Sequence, residues 1–167
     1  MSLQEISPRA SIVGGVPEPV AGVAGGVVAG IAYLLAQVSF TGMLHAGTAA
    51  EPLQRIAAIL MGPDAAPPPT EWNFTVFGMA MIIHFGLAMV FGRLVGTLVS
   101  RLALVPAVAA GAGVGALLYA LDFLLIAPHA FPWFADSIQA LSLADHLLFG
   151  AVAAAVCVTL RQPRSAN

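Results

Sequence analysis

Five side chains that can hold a proton or share hydrogen bonds lie in stretches otherwise dominated by apolar residues: Gln37, His84, Asp122, Asp145 and His146. Asp122 makes the strongest demand. A carboxylate near the middle of a membrane helix is disfavoured by about 2.5–3.5 kcal/mol, so it needs a partner, a water-filled cavity or a proton. An ionisable residue in such a position marks a functional site by default. Burial without partners would cost each of the other four as well. They are therefore expected to meet in one polar cluster in the outer half of the bundle, with the phenols of Tyr33 and Tyr119 within a turn of it.

Three uses are open to such a cluster. Interhelical hydrogen bonds alone make a structural knot, each bond contributing about 0.6 kcal/mol. Buried Asp/His sets also pass protons or ions. The third use is haem b, for which His84 and His146, on different helices, are the available axial pair. No other cofactor and no metal is expected. His45 and His129 read as polar anchors at the outer ends of their helices. Walker, GxGxxG, HExxH and GxSxG motifs are absent, and Asp145 and His146, as neighbours on one helix, point about 100° apart. No enzyme class gains support, and an enzyme is not expected.

The elements that position these residues follow from composition. The chain is 59% hydrophobic and 8% charged, against about 25% charged in soluble domains. Formal charge is absent from Pro19 to Ala50, from Trp72 to Gly92 and from Leu102 to Leu121. Each stretch meets the roughly 20 residues that a helix needs to cross about 30 Å of hydrocarbon. None carries the polar face of a soluble bundle helix or the period-two alternation of a barrel strand. The expected fold is all-α: a four-helix transmembrane bundle with spans at about 20–45, 72–97, 102–127 and 138–160. Outer loops then fall at about 46–71 and 128–137, and tails at 1–19 and 161–167. Glu51-Pro52 and Gly62-Pro63 bracket a short amphipathic, interfacial helix in the first loop, with Arg55 as its lone cation.

Four spans put both termini on one side. That side holds Arg9, Arg93, Arg101, Arg161 and Arg164, and the other holds Arg55. The positive-inside rule then makes the termini cytoplasmic. With a net charge of −2, no basic surface points to nucleic acid. Cys157 is the only cysteine, so an internal disulfide is excluded.

Small residues recur at intervals of four: Gly22, Gly26 and Gly30 in the first span, Gly92 and Gly96 in the second, Gly111 and Gly115 in the third. Such faces let helix backbones approach closely in lipid. The spacings from Gly26, Gly30 and Gln37 recur at Gly111, Gly115 and Asp122. His84 and His146 both sit on small-residue faces, which suggests a parallel repeat of two helical hairpins about an axis along the membrane normal.

The runs Arg55-Ile-Ala-Ala-Ile-Leu-Met-Gly-Pro, His84-Phe-Gly-Leu-Ala-Met-Val-Phe-Gly and Phe131-Pro-Trp-Phe-Ala, followed by Asp145-His146-Leu-Leu-Phe-Gly, resemble a group of small bacterial four-span inner-membrane proteins of unknown function. Members are sometimes labelled transporter-like. The resemblance covers about 20–160 and implies a bacterial inner membrane and four-span topology, with no mechanism. The expected function is a structural or accessory component of a membrane complex, with the lipid bilayer and a larger membrane complex or a homo-oligomer as its partners. The alternative is a proton-coupled or small-solute carrier built on the Asp/His cluster.

Overall fold

A computed structural model describes residues 15–44, 48, 50–66, 73–135, 137 and 139–161 of the chain. Hydrocarbon offers backbone N–H and C=O groups no partners, so apolar stretches of this length satisfy them internally as helices. Five helices result: α1 (Glu18–Leu44), α2 (Glu51–Met61), α3 (Phe74–Leu98), α4 (Leu104–Ala130) and α5 (Gln139–Leu160). All but α2 are long and apolar enough to cross a membrane. Their large apolar side chains face outward: Met43, Phe74, Val105 and Leu117 are each 70% exposed or more. Water would penalise that surface by about 25 cal/mol per Å², whereas lipid does not. The architecture is that of a multi-pass membrane protein.

Local signals set the helix ends. Asn73 starts α3, its Oδ1 accepting from the N–H groups of Thr75 at 2.8 Å and Val76 at 3.3 Å. Asn73→Ala is expected to cost about 1 kcal/mol, read as a fall of roughly 2–4 °C in melting temperature for a chain of this size. The short helix expected in the first loop is present as α2. Pro52 lies in its first turn, and Gly62 stops it at φ +91°, a conformation that glycine adopts without strain.

Glycine faces set the packing. α1 lies on α3 where Gly22 and Gly26 meet Gly92, and where a Cβ on Gly26 would collide with the Ala88 carbonyl. α4 lies on α5 where Gly111 and Gly115 meet the backbone of Gly150 and His146. Gly25, which the four-residue stripes pass over, seats α1 on α5 at Ala153. The helices therefore run in the order α3, α1, α5, α4, and α3 and α4 barely touch although a short turn joins them. A two-fold axis along the membrane normal would make the α1–α5 and α3–α4 interfaces alike. The likeness between the hairpins thus holds for their internal seams and not for their mutual arrangement.

The two ends differ. At the terminal end, Val16 N–H donates to Leu160 O at 2.9 Å. The Arg161 guanidinium donates to Val99 O at 3.1 Å, Leu102 O at 2.5 Å and Ser100 O. Arg93 pairs with Glu18 at 2.9 Å on the same side. At the opposite end α2 packs on α3, burying Leu53 and Ala57, while Ala58 packs against Ala65, Ala66 and Trp133. Trp133 Nε1 donates to Arg55 O at 3.1 Å and Arg55 Nη1 donates to Ser137 Oγ at 3.0 Å, which fastens α2 to the loop before α5. Arg93 and Arg161 thus share one end and Arg55 lies at the other, while Arg9, Arg164, His45 and Trp72 lie outside the described residues.

Candidate functional site

The candidate site is centred on His146 of α5. Its Nδ1 lies 2.7 Å from Ser142 O, one turn back. A carbonyl only accepts, so Nδ1 carries a proton. Nε2 then faces Asp122 Oδ2 at 3.5 Å, with the two side chains 10% and 32% exposed. A single further proton lying between Nε2 and Oδ2 makes the pair either imidazolium and carboxylate or imidazole and carboxylic acid. Both forms are neutral overall, which is the condition for holding such a pair in lipid.

Asp122 reaches this position from a distorted helix. Ala120–Ile126 is a π-helical segment within α4, and the Ala127 N–H bonds to Asp122 O, five residues back. Such widened turns recur at functional sites. Pro128 is the sequence feature that fits them, since proline lacks an N–H and its ring clashes with the carbonyl four residues back. The distortion rotates the side chains past it relative to a regular helix, which a periodicity of 3.6 does not anticipate.

Aromatic rings enclose His146. Tyr33 stands edge-on at 5.3 Å between centroids, Phe123 at 5.6 Å and Tyr119 at 5.9 Å. Tyr33 also contacts His84 at 5.7 Å, so its phenol lies against both imidazoles. His84 Nε2 is 2.8 Å from Gly30 O and must donate to it, leaving Nδ1 without a hydrogen bond among the described residues. Haem b is not matched by this geometry. The Nε2 atoms of His84 and His146 are turned to Gly30 O and Asp122, and the Tyr33 ring lies against both histidines.

Two spaces adjoin these residues. The larger, a cavity of about 370 Å³, is lined by His84, Asp122, His146 and Tyr33 among apolar side chains. The smaller, about 50 Å³, lies under α2 and is lined by Gln37, Thr41, Arg55 and Ser137. Tyr33, Ile56, Phe123 and Phe134 border both. The five residues expected in one cluster are therefore distributed. His84, Asp122 and His146 share the large cavity, and Gln37 lines the small one, with its Oε1 buried and without a hydrogen-bond partner among the described residues. Asp145, 2% exposed, lines neither space but lies within electrostatic reach of Tyr33, and its Oδ2 has no hydrogen-bond partner among the described residues. Phe123, Phe134 and the Ser142 carbonyl belong to the site and carry no sequence signal beyond an aromatic residue or a helix position.

The arrangement sets one carboxyl and two imidazoles on the wall of a largely apolar cavity. No known family model matches this chain, and no curated protein and no solved structure matches it either.

Proposed function

We propose that this chain is a proton-coupled carrier of a small solute, with the Asp122–His146 pair as its proton-holding element and His84 beside it. The observation that carries this reading is a cavity of about 370 Å³ at the polar residues. That volume falls in the range of about 300–1,000 Å³ typical of ligand sites, as does a mostly apolar lining with a few convergent polar groups. A structural knot needs no such space, and close packing would remove it. An accessory role in a membrane complex therefore stands second. The arginine distribution and the resemblance to four-span bacterial proteins support an inner-membrane location with cytoplasmic termini.

Asp122→Leu combined with His146→Leu separates the carrier from the knot by the sign of its effect. Polar groups kept for function are held at a cost to stability. Replacing both side chains with apolar ones of similar size removes the pair without leaving either partner buried alone, and is expected to raise the melting temperature in lipid nanodiscs. A knot would lose an interhelical bond, so that a fall in melting temperature would sink the proposal.

A further inference from the structure

We propose that the large cavity takes its ligand sideways from the bilayer, and that the ligand is a ring-bearing lipophilic molecule with a hydroxyl donor, of the phenol class. This rests on the reading of the cavity as a ligand site and names what that site accepts.

The direction of access comes from the helix arrangement. α3 and α4 form facing walls of the cavity, yet they barely touch beyond the turn that joins them. Phe91, Leu118 and Phe149 are the lining residues nearest the terminal end, and Ile56 and Ile59 of α2 lie at the other. α1 and α5 contribute Tyr33, His146 and Phe149 at the back. The remaining side lies between α3 and α4, where the lining residues Leu87 and Leu121 are 45% and 42% exposed. Their neighbours on the outer surface, such as Leu117 and Val90, are the apolar side chains that face acyl chains.

The ligand class comes from the lining. Phe91, Phe123, Phe131, Phe134 and Phe149 all border the cavity, a surface suited to a flat ring through offset and edge-to-face contacts. The polar groups are dominated by acceptors. His84 Nδ1 accepts in the neutral imidazole because Nε2 already donates to Gly30 O. Asp122 Oδ2 is turned to His146 Nε2, and the other Asp122 oxygen remains an acceptor when the carboxyl is ionised. Tyr33 brings a donor of its own but lies within electrostatic reach of the carboxylates of Asp145 and Asp122. A ligand completes this set by supplying a donor to His84 Nδ1.

The test uses 4-octylphenol and its methyl ether, 4-octylanisole, in which a methyl group replaces the hydroxyl hydrogen and removes the donor, with both affinities corrected for partitioning into the nanodisc lipid. Binding is measured to the full chain in lipid nanodiscs, against empty nanodiscs. The phenol is expected to bind saturably, one per chain, and about tenfold more tightly than the ether, the ratio that one hydrogen bond supplies. His84→Phe is expected to reduce phenol binding to the level of the ether, and Leu87→Trp, at the lateral opening, to weaken both probes. Equal affinity for phenol and ether overturns the donor assignment, and undiminished binding in Leu87→Trp overturns lateral access. Absence of saturable binding, with the Asp122→Leu/His146→Leu double variant still raising the melting temperature, overturns the ligand class and leaves the carrier reading standing. If the double variant lowers it, both fall together.

Discussion

Gly115→Leu is expected to lower the melting temperature by roughly 6–12 °C or to prevent accumulation altogether. The place where its Cβ would go is occupied by the backbone carbonyl of His146, with Leu147 Cα 3.2 Å away. Overpacking costs about 1–3 kcal/mol when side chains can yield. Here the obstacle is helix backbone, so the cost sits at or above about 3 kcal/mol, and each kcal/mol is worth roughly 2–4 °C at this chain length. The substitution also separates α4 from α5 at the level of the Asp122–His146 contact. Gly113→Leu is the control, because nothing lies within 4 Å of a Cβ there. It should leave the melting temperature unchanged or raise it, as glycine in a helix interior costs about 0.5–1 kcal/mol relative to alanine. Equal effects at the two positions would show that the α4–α5 seam is not as described.

His146→Leu is expected to be the most damaging single change at the polar site, and Asp122→Leu in the same chain is expected to repair it. Removing the imidazole leaves the Asp122 carboxyl facing an apolar cavity with no partner. Breaking one side of a buried pair costs about 3–5 kcal/mol, while replacing both sides with apolar residues is often neutral or stabilising. Asp122 is about one-third exposed, which reduces the first figure to roughly 2–4 kcal/mol. Thermal unfolding of the two single variants and the double variant closes the cycle. Additive losses would mean that the two side chains do not share a proton or a contact.

The fold was legible in the sequence because lipid imposes a single rule that composition reveals. Uncharged runs such as Trp72–Gly92 and Leu102–Leu121 had to become helices, and Gly62-Pro63 had to end the short helix in the loop. The glycine faces were legible for a similar reason. Gly22, Gly26, Gly92, Gly96, Gly111 and Gly115 all sit at close backbone approaches. Gly150, on the small-residue face that carries His146, does too, and so does Gly25, which the stripe pattern passes over.

The site was legible only in depth. A rise of 1.5 Å per residue places Gln37, His84, Asp122 and His146 at comparable levels, but it does not say which rings lie between them. Phe123 and Phe134 come from α4 and the loop after it, and they divide Gln37 from the histidines. The π-helical segment around Asp122 changes the direction in which that side chain points, and Pro128 was its only trace. The separation of α3 from α4 depends on which glycine faces find one another, a long-range outcome that no local pattern contains. The cavity arises from that separation.

The contact between Asp122 and His146 inside the bilayer is what the account depends on most. Magic-angle-spinning NMR of the chain in lipid bilayers, with the carboxyl carbon of aspartate labelled with ¹³C and histidine with ¹⁵N, measures it through dipolar coupling. The account expects a measurable through-space coupling between the Asp122 carboxyl carbon and His146 Nε2, in keeping with the 3.5 Å separation of Oδ2 and Nε2, and its disappearance in Asp122→Leu. No coupling, or a coupling that survives in that variant, would contradict it.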